Sequence, residues 1–199
     1  VQPPLSRPLV RAGRERDARA RRDTSPGFTR PGVRLDEEGR WSLTPEAIAL
    51  AIGKSAGRVA VIDATCGAGG NAIGFARAGC DVLAIDRDPD RLAHARHNAR
   101  AYGVSMRFLA GDAAELLPGL PPALVFVDPP WGRTWPRDRC GLGDLPVLAA
   151  ILPRCRGPVW AKVPPSFDPA ELPGGIPEAV FGVSAGDAHR VKFLLIRVP

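Results

Sequence analysis

Val61-Ile62-Asp63-Ala64-Thr65-Cys66-Gly67-Ala68-Gly69-Gly70-Asn71 is the stretch from which the rest of the chain is counted. Ahead of it, Arg58 to Ile62 is short, mostly apolar and rich in β-branched residues, which predicts a strand. Behind it, Ala72 to Gly79 predicts a helix with Ile73, Phe75 and Ala76 facing inward. A strand, a glycine turn and a helix make the opening unit of a parallel α/β sheet. Gly67, Gly69 and Gly70 let the backbone turn tightly and let a ligand come close to it. The start of the helix adds N–H groups that have no partner within the helix.

Two ligands suit such a loop. Gly67, Gly69 and Ala72 satisfy the G-x-G-x-x-A spacing of dinucleotide sites, a pattern that is weak on its own. Asp63 argues the other way. A carboxylate at the mouth of the loop repels a pyrophosphate and attracts the ammonium and sulfonium of S-adenosylmethionine (SAM). The third reading is a glycine turn that holds no ligand.

With 199 residues, the chain is long enough for one α/β domain with a full core and an appendage. It has no apolar run near the roughly 20 residues of a membrane span, and its arginine-bearing start lacks the apolar core of a secretory signal. A cytoplasmic location is the expectation. The chain begins at Val1, which allows for a further domain upstream. A net charge of +6 favours a polyanionic partner, although a composition rich in Arg, Ala, Gly and Pro also follows from a GC-rich genome. Cys66, Cys80, Cys140 and Cys155 form no C-x-x-C pair and, with scattered histidines, no metal pattern. Reduced thiols and no metal are expected.

Residues 1–31 stand apart. Arg7, Arg11, Arg14, Arg16, Arg19, Arg21 and Arg22 crowd a segment poor in apolar residues, followed by turn signals at Ser25-Pro26-Gly27 and Pro31-Gly32. Ser6 to Arg22 reads either as a basic helix or arm for nucleic-acid phosphates or as a solvated tail. Next, Thr44 reads as an N-cap, Pro45 as the first helical residue and Glu46 as first-turn charge for a helix ending near Gly53. Trp41, just upstream, is either a plug under that helix or a wall of the substrate pocket. The parallel units follow. Asp81 to Asp86, Met106 to Ala110, Ala123 to Val127 and Pro158 to Val163 are expected strands. Pro89 to Tyr102 and Leu145 to Leu152 are expected helices, and Glu178 to Val183 with Arg190 to Val198 a closing antiparallel pair.

Asp63, Asp86 and Asp112 fall at the carboxyl ends of three consecutive expected strands, the edge where open α/β sheets bind ligands. Three carboxylates there call for a ligand rich in donors and positive charge. SAM offers an ammonium and sulfonium to the first, a ribose diol to the second and an adenine amino group to the third. Asp86 competes with a helix-capping role, for which Asp88 is better placed, and Asp112 can equally cap a short helix at Ala113.

Asp128-Pro129-Pro130-Trp131-Gly132 follows the fourth strand. Two prolines in a row fix the backbone and remove N–H donors, leaving carbonyls and the Asp128 carboxylate as acceptors. An exocyclic amine on a base has two hydrogens to donate to them. Held that way, its lone pair is localised and aimed. Trp131 offers a face on which the base can stack, worth roughly 1–3 kcal/mol. The bland reading is a rigid turn with Trp131 as core filler.

With these residues in view, the chain resembles the class I SAM-dependent methyltransferases, and more narrowly the trimethylguanosine synthase (RNA cap guanine-N2 methyltransferase) family, from about Gly32 onward. The resemblance is carried by Leu35 to Glu46, by Asp63 to Asn71, by Ala84 to Pro89 with Arg96 to Ala99 and Tyr102-Gly103, and by Pro129-Pro130-Trp131-Gly132. It implies a Rossmann-like α/β fold: a seven-stranded methyltransferase sheet over 57–199, a segment and helix over 32–56 covering the site, and a basic extension over 1–31. It implies that Asp63, Cys66, Gly67, Gly69, Asn71, Asp86, Arg87, Asp112 and Asp128 hold SAM, with Ser42, Thr44 and Pro45 over the cofactor. Trp131 would stack on the target guanine, with Trp41, Ser42, Asn98 and Arg133 on the substrate side. Asp128 stands where eukaryotic members have Ser, and Arg133 where they have a second glycine. Asp128 brings the corner closer to the Asp/Asn-Pro-Pro-aromatic corner of amino-methylating enzymes in general.

The expected function is methyl transfer from SAM to the N2 amino group of guanine in RNA, with Asp128, Pro129, Pro130 and Trp131 as the catalytic corner. N6 of adenine in DNA or RNA is the alternative target, against which Leu35 to Glu46 argues. A methyltransferase-like RNA-binding module with little activity, or a nucleotide-linked oxidoreductase, would be the alternative from another class.

Overall fold

The computed structural model describes residues 6–7, 27–37, 39–131, 135–183 and 188–199, without the side chains of 6, 7 and 41. The strands are β1 (Ser6–Arg7), β2 (Ala60–Asp63), β3 (Asp81–Asp86), β4 (Arg107–Ala110), β5 (Leu124–Val127), β6 (Val159–Val163), β7 (Ile176–Phe181) and β8 (Val191–Val198). The α-helices are α1 (Gly39–Ser42), α2 (Glu46–Ala56), α3 (Gly70–Arg77), α4 (Pro89–Tyr102), α5 (Ala113–Leu116) and α6 (Pro146–Ile151).

One sheet runs β1-β7-β8-β6-β5-β2-β3-β4. β4, β3, β2, β5 and β6 pair in parallel, while β8 lies antiparallel to both β6 and β7. The seven expected strands are β2 to β8, and β1 adds a two-residue antiparallel pairing on the β7 edge. The chain winds outward from β2 through β3 to β4, then returns to place β5 on the other side of β2. That reversal opens a crevice beyond the carboxyl ends of β2 and β5, where ligands bind in open α/β sheets.

Alternation along the strands divides the core between the two sheet faces. Ile62, Ile85, Val125, Val127, Leu148 and Ile196 pack in one cluster, and Val61, Val82, Ala84, Phe126, Phe75 and Leu195 in the other. Local signals set the longest helix: Asp88 accepts from the N–H groups of Asp90 and Arg91, Pro89 opens α4, and Gly103 closes it at φ 65°.

Three expectations for the amino-terminal part change. Pro45, not Thr44, occupies the cap position of α2, and the Thr44 hydroxyl makes no cap bond. α2 runs on to Ala56 because Gly53 serves a helix contact: a Cβ there would come within 2.5 Å of the Gly74 carbonyl oxygen on α3. Ser6–Arg7 is strand, so no helix begins at Ser6, and residues 8–26 of the basic arm lie outside the described residues. Gly27 to Arg34 packs along α4. The Tyr102 hydroxyl accepts from Thr29 N–H at 2.9 Å and donates to Glu46 at 2.6 Å. Among the described residues no helix is long and apolar enough to cross a membrane.

Candidate active site

A pocket of about 1270 Å³ opens at the switch between β2 and β5. The glycine loop, the end of β3 and the Asp128 corner all face it, together with Ser42, Thr44 and Pro45 from the segment ahead of α2.

The loop turns because Gly67 takes φ 51° and Gly69 φ 92°. Gly67 lines the pocket, and its N–H donates to Asp86 Oδ2 at 2.7 Å. Gly69 does not line it. It caps α3, and a Cβ there would meet Ala95 at 3.2 Å, so its freedom serves loop closure against α4. Cys66 lines the floor, its thiol pushed well above the usual range by burial and by the charges of Asp63 and Asp86.

The three strand-end acids differ. Asp63 is fully buried beneath the loop and not at its mouth; Ala64 and Thr65 form the surface above it. Its Oδ1 accepts weakly from Thr65 N–H at 3.4 Å, and its Oδ2 has no partner. Burial pushes its carboxyl up to about 8, with the charges of Asp128 and Asp86 adding to the rise. Asp86 faces the pocket, fixed by the Gly67 N–H on one oxygen and the Asp88 N–H on the other at 2.9 Å. Asp112 lines the pocket and also caps α5 through Ala114 N–H at 2.8 Å. Arg87 is exposed at the rim.

At the corner, the Asp128 backbone is tied both ways to Thr65: its N–H donates to Thr65 Oγ1 at 2.9 Å, and its carbonyl accepts from the same hydroxyl at 3.0 Å. Asn71, at the start of α3, donates to Asp128 Oδ2 at 3.0 Å. Pro129 is buried, Pro130 is exposed, and Trp131 is half-buried with its ring edge-on to Trp135 at 4.8 Å. Thr65, Asn71, Asp128, Pro129, Pro130, Trp131 and Trp135 all border the pocket.

Asn98 is a correction. It is fully buried and spends its amide on the Arg34 N–H and carbonyl and on the Ala68 carbonyl, at 2.7, 2.8 and 2.9 Å. It fastens the amino-terminal segment to the glycine loop and does not reach the substrate side. The Trp41 side chain and all of Arg133 lie outside the described residues, so the pocket-wall and substrate readings for them stay expectations.

The sequence reading passed over two participants. Trp135 stacks under the Arg137 guanidinium at 3.5 Å and extends the aromatic wall begun by Trp131; the signal was a second tryptophan four residues on. Lys162 is the other. It is 4 % exposed in the middle of β6, with Nζ 2.6 Å from Asp128 Oδ2. A lysine inside an otherwise apolar strand, Val159-Trp160-Ala161-Lys162-Val163, was the signal for it.

The chemistry of this donor set suits SAM. Thr44 Oγ1 and Asn71 Oδ1 are pocket-lining, buried and without a protein partner, and Asp86 and Asp112 add carboxylates. An acceptor-rich wall fits a ligand with an ammonium, a diol and an exocyclic amine.

The model for the family described as RNA cap guanine-N2 methyltransferase matches residues 58–135. A trimethylguanosine synthase of Schizosaccharomyces pombe is 40 % identical over 51 % of this chain and 47 % of its own length. A ribosomal RNA small subunit methyltransferase J of Stutzerimonas stutzeri is 38 % identical over 42 % of this chain and 38 % of its own. An uncharacterized SAM-dependent methyltransferase of Mycobacterium tuberculosis is 35 % identical over 67 % of this chain and 39 % of its own. The chain thus spans about half or less of these curated relatives. Among solved structures, TrmN from Thermus thermophilus superposes with a TM-score of 0.54 at 25 % identity, over 79 % of this chain and 49 % of that one. A T. thermophilus 16S rRNA N2 methyltransferase (RsmC), solved with AdoMet and guanosine, shares the fold with a TM-score of 0.55 at 18 % identity, over 85 % and 45 %. Sheet order, glycine loop, the family match over 58–135 and the solved neighbours together give the chain the fold of the class I SAM-dependent methyltransferases.

Proposed function

We propose that the chain transfers a methyl group from SAM to the exocyclic N2 amino group of a guanine in RNA. The observation that carries this reading is that one pocket joins the glycine loop and Asp86 to the Asp128-Pro129-Pro130-Trp131 corner. A cofactor and a flat acceptor base therefore meet at the sheet's switch point. About 1270 Å³ exceeds the usual range of a single small-molecule site, which is roughly 300–1,000 Å³, and leaves room for both. The names of the trimethylguanosine synthase and rRNA methyltransferase relatives support RNA as the acceptor class.

In this reading Asp86 accepts from the ribose hydroxyls, held ready by the Gly67 and Asp88 N–H groups. Asp112 and the Thr44 and Asn71 oxygens take the remaining donors. Asp63 acts from beneath the loop as a buried carboxyl that compensates positive charge above it. Bound SAM supplies an electrophilic methyl carbon on a sulfonium. Trp131 stacks on the guanine, while Asp128 Oδ1 and the Pro129 carbonyl accept the two amine hydrogens, localising the lone pair. The work is positioning and electrostatics, and the amine proton leaves after transfer.

Labelled SAM offered with total RNA, DNA and a 7-methylguanosine cap analogue, followed by digestion to nucleosides, tests the reading. Label in N2-methylguanosine from RNA is expected. Label on the cap analogue would make the activity cap-like despite Asp128. Label in N6-methyladenosine, in either sugar form, would overturn the guanine assignment and leave the cofactor site standing.

A further inference from the structure

We infer that Lys162 is a positioning residue for methyl transfer: it clamps Asp128 so that only Oδ1 is left to receive the acceptor amine. The inference rests on the proposed acceptor corner. Lys162 Nζ lies 2.6 Å from Asp128 Oδ2, and Asn71 Nδ2 lies 3.0 Å from the same oxygen. With two donors on Oδ2 and the Asp128 backbone tied to Thr65, the carboxylate has one orientation. No described residue bonds Oδ1.

The lysine is itself held. Its ammonium sits 5.1 Å from the Phe193 ring centroid and 5.9 Å from that of Trp131, within reach of two aromatic rings. One ammonium thus touches the carboxylate that receives the amine and flanks the ring on which the base stacks. Lys162 is a buried cation, and the carboxylate it pairs with is that of Asp128. Burying a lysine is costly unless it is paired, and removing one partner of such a pair leaves the other uncompensated.

The test uses Lys162→Met, Lys162→Arg, Asp128→Asn and the Lys162→Met/Asp128→Asn pair. Each is measured for S-adenosylhomocysteine affinity, for single-turnover transfer to unmodified total RNA, and by crystallography with S-adenosylhomocysteine bound. Lys162→Met is expected to keep cofactor affinity within about threefold while transfer at saturating RNA falls about 100-fold. Its Asp128 carboxylate is expected to leave the orientation seen here. Lys162→Arg recovers transfer to within about tenfold, and the double variant is no slower than Asp128→Asn, because the two side chains act as one unit. An unmoved Asp128 in Lys162→Met, an unchanged transfer rate, or a loss of cofactor affinity equal to the loss of rate would each overturn the inference. If wild type labels no nucleic acid while Lys162→Met still displaces Asp128, the acceptor reading fails and the positioning role of Lys162 stands. If Lys162→Met does not fold, the double variant, which removes the charge as a pair, and Lys162→Arg carry the same comparisons.

Discussion

Asp63 shows how one buried atom links binding to pH. Burial, reinforced by Asp128 and Asp86, pushes its carboxyl up to about 8, so at neutral pH the free protein holds a proton there. A cationic ligand seated over the loop favours the charged form, so release of a proton on SAM binding is the expected outcome. Calorimetric titrations at pH 7 in buffers of different ionisation enthalpy are expected to give different apparent enthalpies in wild type and the same enthalpy in Asp63→Asn. The sign for stability follows from the raised folded value. What this group contributes is complete below its ordinary 3.8 and is lost as pH rises through about 8. At the acceptor side, Trp131→Ala removes the stacking face, expected to weaken RNA affinity by roughly 1–3 kcal/mol without altering cofactor binding. Filter binding of RNA beside calorimetry of S-adenosylhomocysteine separates the two.

At the scale of elements, α2 and α3 touch through glycines. A Cβ on Gly74 would stand 2.5 Å from the Ala49 carbonyl oxygen, and one on Gly53 equally close to that of Gly74. Gly74→Ala is therefore expected to destabilise the fold by about 1–3 kcal/mol in urea unfolding, although alanine has the higher helix propensity. The amino-terminal segment is latched to α2 and α4 by Glu46. Burial raises its carboxyl, but bonds from Tyr102, Thr29 and Arg77 outweigh that and draw it down to about 2. The latch therefore holds above the ordinary value of 4.5 and lets go as pH falls toward 2. The stability gap between wild type and Glu46→Gln is expected to be constant near neutrality, to narrow below 4.5 and to close near about 2. These contacts explain what the sequence could show. Strand ends, the glycine loop and the caps of α4 are written in neighbouring residues, and Asp81–Asp86 and Pro89–Tyr102 match their expected bounds. Gly53, Asn98 and Lys162 take their meaning from partners far along the chain: α3, Arg34 and Asp128. Periodicity and local spacing carry no record of such partners. Asp63 shows the same limit, since its place at a strand end was legible but its burial under the loop was not.

For the whole molecule, topology places the chemistry. The reversal between β2 and β5 sets the glycine loop beside the Asp128 corner, and β6 brings Lys162 in from the next strand over. Three neighbouring parallel strands thus supply the glycine loop, the Asp128 corner and the lysine paired with it. The segment ahead of α2 borders the pocket with Ser42, Thr44 and Pro45. The claim on which all of this rests is that cofactor and guanine meet in that one pocket with N2 presented by the corner. A crystal structure with S-adenosylhomocysteine and guanosine 5′-monophosphate tests it most directly. The account predicts the ribose on Asp86, the base on Trp131 and N2 between Asp128 Oδ1 and the Pro129 carbonyl, aimed at the cofactor sulfur. A cofactor seated away from the Gly67 loop, or a guanine that turns another edge to Asp128, would contradict it.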